Sequence, residues 1–302
     1  MEEPIVSVIT STYNRSEKLI RAINSVIDQS FEDWEMIVVD DASTDDTEDR
    51  VGEIDDDRVK YIKLGKNFGN DTRPKNTGIM TAKGRYIAFL DDDNVYRKDH
   101  LQALVSAMEK SNVDCVYGDR FLTVDGEPQG LGVYSEYNPM LLLVRNYIDT
   151  SDVLMKRETI FDLGGFDENY KKYIDWNLWV RAAKANKKFQ RVPLVLTDYY
   201  IDDDSKSKRE EDTVNNMPAW NPMDCEVRLD YLGKKEPLKV AIFSLTYDRL
   251  EYTKECFDSM YKTAGYPIDV HVIVDNGSKD GTIEWVKEYC KTNDIELEVV
   301  NG

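Results

Sequence analysis

The chain has 302 residues, with 58 Asp and Glu against 39 Lys and Arg, and a formal charge of −19. That length can bury at least one full core and leaves room for a second unit, while the acidic excess argues against nucleic acid or an anionic membrane as a general partner, because both need a basic surface. Cys115, Cys225, Cys256 and Cys290 form no CxxC pair and no Cys/His cluster, so they read as reduced thiols of a cytoplasmic protein and not as zinc ligands.

In chain order, residues 5–10 form a β-branched run that ends in the polar STYNR; Ser16 then suits an N-cap, and Leu19, Ile20, Ile23, Val26 and Ile27 recur at helical spacing. Residues 34–39 (WEMIVV) read as a fully buried strand stopping at Asp40 and Asp41, with Ser43, Thr44 and Asp45 as capping residues for another helix. A third strand is predicted over 59–64, a short helix over 76–82 and a fourth strand over 85–90 (RYIAFL). Strands alternating with helices, in continuous apolar runs, predict a parallel α/β sheet whose ligands lie beyond the carboxyl ends of the strands.

Downstream, residues 113–117 and 120–124 read as strands flanking a turn, LGGFDE as a glycine loop and 174–185 as a helix carrying Trp176 and Trp179. The polar stretch 202–212 is the expected domain boundary. The longest apolar run, 140–144, is far too short to cross a bilayer, and MEEPIVS lacks a basic leader region.

FLDDDNVY places Asp91, Asp92 and Asp93 side by side at the end of the fourth strand. At ~4 Å, two carboxylates near a surface repel by roughly 4 kcal/mol at an effective dielectric of about 20. Either solvent absorbs that cost in a splayed loop, or a divalent cation with oxygen ligands reverses the local field. Serine, threonine and tyrosine after the first strand and two aspartates after the second should open onto the same crevice.

The chain also echoes itself. VSVITSTYNR is matched by VAIFSLTYDR from Val240, and VVDDASTDDT by IVDNGSKDGT from Ile273, so Asp40 stands opposite Asp275 and Ser43 opposite Ser278. Such self-similarity indicates duplication of a folding unit. The expected organisation is a first domain over 1–204, a linker over 205–236 and an incomplete second unit over 237–302 belonging to a longer chain.

In this order, VSVITSTYNR, VVDDASTDDT, NFGNDTRPKNTGIMTAKGRYIAFLDDDN, GGFDE and DWNLWVRA resemble the inverting family-2 glycosyltransferases of the GT-A fold, over roughly residues 4–200. The resemblance implies transfer of a sugar from a nucleotide-diphosphate donor, most often a UDP-sugar, to a hydroxyl on a glycan, lipid-linked sugar or protein. The short apolar runs and the N-terminus, with the reduced thiols, read as a cytoplasmic chain, for which docking on a membrane-bound partner stays open. Ser11 and Tyr13 would line the base pocket, Asp41 would hydrogen-bond uracil, and Asp92 would contact ribose or metal-bound water. Asp93, with Asp91 beside it, would hold Mn²⁺ or Mg²⁺ at the diphosphate, and Asp175 would be the general base.

Arg73 and Lys75 read either as phosphate contacts or as solvated surface charge, and Asp175 either as a base or as an N-cap. Of Trp176 and Trp179, at least one belongs in the core. Where relatives carry an acidic residue before the base, this chain has Ile174, and neither His100 nor His271 fits a late metal ligand, which leaves Asp202, Asp203, Asp204 or water. A non-catalytic nucleotide-sugar or glycan-binding module of a duplicated protein is the competing reading; the oligomeric state stays open.

Overall fold

Two seven-residue runs, VSVITST and WEMIVVD, are buried along their whole length, as expected of strands covered on both faces. The computed structural model describes residues 3–132, 134–142, 146–170 and 172–201, and in the C-terminal part 241–246, 270–275, 278–293 and 296–301 with single positions between 250 and 257. The chain divides into two units, Met1–Arg209 and Glu210–Gly302. The segment 202–212, Cys225 and Cys256 lie outside the described residues.

The first unit runs β1 (Val6–Thr12), α1 (Ser16–Ile27), β2 (Trp34–Asp40), α2 (Thr47–Gly52), β3 (Val59–Lys63), α3 (Thr72–Thr81), β4 (Tyr86–Phe89), β5 (Val95–Tyr96), α4 (His100–Lys110), β6 (Cys115–Val124), β7 (Glu127–Leu131), α5 (Pro139–Leu142), a 3-10 turn (Thr150–Asp152), β8 (Val153–Lys156), α6 (Arg157–Asp162), α7 (Ile174–Lys184) and β9 (Phe189–Ile201). One mixed sheet has the order β3-β2-β1-β4-β8-β6-β9-β5, with β7 added to β6. From β3 to β4 all neighbours are parallel; β8 then pairs antiparallel with both β4 and β6. Leu19, Ile23 and Val26 of α1 pack with Val8, Met36 and Val38 of the sheet and Leu101 and Leu104 of α4 in the principal core.

Three expectations need correction. Ser16 is the first residue of α1 and Arg15 is its cap. Helix α3 begins at Thr72, four residues earlier than expected, because Pro74 sits in its first turn, where a missing N–H costs nothing. Residues 115–124 form one continuous strand: the turn-like Gly118-Asp119 is a register shift against β9, and a Cβ on Gly118 would lie 2.9 Å from Leu196. Among the described residues no helix is long and apolar enough to cross a membrane.

The GGF loop after α6 is held by α3. Asn76 Nδ2 donates to the Phe166 carbonyl at 2.8 Å and Asn76 Oδ1 accepts the Phe166 N–H at 2.9 Å. Gly165 has φ +71°, and a Cβ there would lie 2.7 Å from Asn76 Oδ1. Left-handed backbone costs a non-glycine residue roughly 1–2 kcal/mol and overpacking roughly 1–3 more. Gly165→Ala is therefore expected to lower Tm by about 5 °C or more, from a loss of about 2 kcal/mol; an unchanged thermal unfolding curve would show that the loop is not held this way.

In the second unit β10 (Ala241–Thr246), β11 (Val270–Asp275) and β12 (Glu296–Asn301) form a parallel sheet in that order, with α8 (Thr282–Thr292) between the last two. Its register repeats that of the first unit: Thr246 pairs with Asp275 as Thr12 pairs with Asp40. A side-chain clasp repeats as well. Asp45 accepts Thr47 N–H at 3.1 Å, Thr47 Oγ1–H at 2.5 Å and Ser16 N–H at 3.4 Å; Asp280 accepts Thr282 N–H at 3.1 Å, Thr282 Oγ1–H at 2.5 Å and Leu250 N–H at 2.8 Å.

Candidate active site

The carboxyl ends of β1, β2 and β4 carry the polar clusters that the sequence singled out. Ser11 is buried in β1, and Tyr13, just past its end, is 43% exposed. The adjacent pair after β2 divides its work. Asp40 is fully buried and accepts Ser43 N–H at 2.9 Å and the Tyr61 hydroxyl at 2.6 Å, a structural role. Asp41 accepts the Phe68 N–H at 3.1 and 3.0 Å from the loop before α3, and burial, reinforced by Asp71 and Asp40, raises its pKa.

The acidic run after β4 is bound into the fold by two cations. Asp92 turns inward at 6% exposure, taking the Thr12 hydroxyl at 2.8 Å and Arg15 Nη1 at 3.1 Å. The same nitrogen lies 3.1 Å from Asp93 Oδ2, so one guanidinium N–H group bridges two carboxylates. Asp91 pairs with Lys75 Nζ at 2.8 Å. Both expectations for these residues shift accordingly. Asp92, expected at the ribose, has both oxygens engaged by β1 and its loop, and Lys75, expected at the phosphates, is a buried counter-ion of Asp91. Burial opposes the Lys75 charge, but Asp91 and Asp71 outweigh it and hold the ammonium protonated. Arg73 stays half exposed, pairs with Glu168 at 3.1 Å and lies over the Phe68 ring.

Asp175 lies in the first turn of α7, whose cap is Tyr173 at φ +53°, so it is not the N-cap. Its Oδ2 accepts Asn146 Nδ2 at 2.8 Å. Burial, then the charge of Asp149, push it up to about 6, opposed by hydrogen bonds and by Lys75. Trp176 and Trp179 are both buried, with indole N–H groups donating to the carbonyls of Leu142 and Ile148, so neither is an open acceptor-side platform.

Asp91 and Asp93 fit a divalent cation in donor chemistry, since both offer hard oxygens. Burial and the charges of Asp92 and Asp91 push Asp93 up to about 7 in spite of Arg15 and Lys18, so further positive charge there is favoured. Among the described residues no group of three or more His, Cys, Asp or Glu is disposed to hold a metal ion; Asp202, Asp203 and Asp204 lie outside them. Arg15 and Asn146 were not singled out from the sequence, although Arg15 is the one basic residue of STYNR.

A mixed, mostly parallel sheet flanked by helices, with acidic residues at the ends of its parallel strands, has the architecture of the GT-A fold. The chain matches the family described as Glycosyl transferase family 2 over residues 7–177 and 242–302, and it belongs to that family. It is 40% identical over 129 residues to TuaG of Bacillus subtilis, named for teichuronic acid biosynthesis, an alignment covering 42% of this chain and 51% of that one. The chain thus spans about half the length of that relative. It is 30% identical over 187 residues to the Escherichia coli UDP-Glc:alpha-D-GlcNAc-diphosphoundecaprenol beta-1,3-glucosyltransferase WfgD, covering 62% of this chain and 72% of the other.

Two solved structures share the fold. TarS 1-349 of S. aureus in complex with UDP-GlcNAc superposes with a TM-score of 0.60 at 19% identity, over 75% of this chain and 71% of that one. The mannosyltransferase PcManGT of Pyrobaculum calidifontis, in complex with GDP-Man and Mn²⁺, gives 0.53 at 21% identity, over 66% and 57%.

Proposed function

We propose that this chain transfers a sugar from a UDP-sugar to a hydroxyl of a growing glycan or lipid-linked sugar, with inversion at the anomeric carbon and with the help of Mn²⁺ or Mg²⁺. The observation that carries the reading is the assembly of Asp91 to Asp93 by Thr12, Arg15 and Lys75 at the ends of the parallel strands, with Asp175 within electrostatic reach of Lys75. Asp41, Ser11 and Tyr13 are the base-side residues, and Arg73 is the exposed cation beside the Asp41 loop. A bound divalent ion would neutralise the leaving diphosphate from Asp91 and Asp93.

Asp175 takes the proton of the acceptor hydroxyl as its oxygen attacks the anomeric carbon and UDP departs with the bonding pair. One displacement inverts the centre. Asp92 anchors the acidic run to β1 and leaves its two neighbours facing the donor. The relatives named for polysaccharide and lipid-linked sugar synthesis support the acceptor class.

A thermal-shift screen of UDP- and GDP-sugars with and without Mn²⁺, followed by NMR of the anomeric product, tests the reading. A metal-dependent shift with one UDP-sugar and an inverted product are expected. Donor binding without any turnover would favour a non-catalytic binding module instead. A base works only when ionised, so kcat at saturating donor and Mn²⁺ should fall as pH drops through about 6, the value to which burial and Asp149 push Asp175. A flat profile from pH 5 to 8 would overturn the assignment.

A further inference from the structure

Three residues, Leu142 at the end of α5 and Asn146 and Ile148 before the 3-10 turn, bond to α7. Leu142 O accepts the Trp176 indole N–H, Ile148 O accepts the Trp179 indole N–H at 3.1 Å, and Asn146 Nδ2 donates to Asp175 Oδ2 at 2.8 Å. Asp175 and Trp179 are four residues apart, hence on one face of the helix, so the chain lies along that face from Asn146 to Ile148. The two indole bonds tie Leu142 and Ile148 to α7, and both are buried. The Asn146 bond adds something they do not: it fixes a carboxylate.

We propose that Asn146 is a positioning residue for the general base, holding the Asp175 carboxylate through Oδ2 so that its remaining lone pairs face the acceptor hydroxyl. This rests on the reading of Asp175 as the base. An amide donor favours the ionised carboxylate, so loss of Asn146 should raise the proton affinity of the base, and loss of the nearby Asp149 charge should act in the opposite sense. Among the described residues, the charged groups that act most on Asp175 are Asp149, its own pKa raised by burial, and Lys75 from α3. Asp149 Oδ1 accepts Ser151 N–H at 3.0 Å, a bond that an Asn side chain can keep through its carbonyl oxygen.

The test is a pair of variants with opposite signs. Asn146→Ala removes the donor and is expected to move the acid limb of kcat upward by at least about half a pH unit, whereas Asp149→Asn moves it downward by a similar amount. A merely structural role would lower kcat at every pH and leave the limb in place. Titration of the Asp175 carboxyl by ¹³C NMR, assigned by its absence in Asp175→Asn, gives the same information without turnover. Limbs and NMR titrations that superpose on the parent in both variants overturn the proposal. NMR titrations that shift as expected while the kcat limb stays fixed support the Asn146–Asp175 coupling and show that the reading of Asp175 as the base has failed.

Discussion

Replacing Asp175 by Asn is expected to lower kcat by about 10³-fold, within the range general base catalysis contributes, while UDP affinity stays within about threefold of the parent. The asparagine keeps the size of the side chain and an oxygen acceptor for Asn146 Nδ2. It cannot accept the acceptor's proton. Donor binding should survive because the groups proposed for the donor sit elsewhere, at the ends of β1, β2 and β4. Calorimetry of UDP with Mn²⁺ and a UDP-release assay would separate the two quantities. Turnover equal to the parent would remove Asp175 from the mechanism, whatever the donor affinity.

Asp93→Ala is expected to remove the Mn²⁺-dependent part of UDP affinity, a loss of at least about tenfold or about 1.4 kcal/mol. Asp91 and Asp93 flank an inward-turned Asp92, and Asp91 has the buried Lys75 ammonium as its partner. Asp93 shares Arg15 with Asp92, and its pKa, pushed up to about 7, marks a carboxylate whose surroundings are still short of positive charge. Removing one of three neighbouring like charges should not weaken the metal-free fold, because it relieves repulsion. The variant should therefore unfold no earlier than the parent without metal, yet show no extra UDP binding when Mn²⁺ is added. Retained metal-dependent binding in calorimetry would sink the assignment.

The parallel half of the sheet was legible because burial on both faces leaves an unmistakable pattern, as in WEMIVV, and because polar residues appear at once where each strand ends. The other half was not. Strand β9 contains Pro193, and its residues alternate irregularly between buried and exposed, so no clean strand pattern marks it in the sequence. Its neighbour β6 was broken in two by Gly118, which is small to let Leu196 approach and not to make a turn.

The site divides similarly. Asp41, Asp91, Asp93 and Asp175 stand in motifs that carry a family resemblance, whereas Arg15 meets Asp92 across 77 residues and Asn146 meets Asp175 across 29. Nothing local announces such contacts. The burial of Lys75 was hidden for the same reason: in the charged run around Arg73 a lysine looks solvated, and its pairing with Asp91, 16 residues on, is what buries it.

The aspartate clasp at Asp45, repeated at Asp280, rests on an Asp, a Thr two places on and a backbone N–H from the preceding helix. A geometry written in so few letters can be copied along a chain without copying the chemistry beside it. Duplication then multiplies the scaffold, and each copy's neighbouring positions are left free to drift toward a different ligand or none.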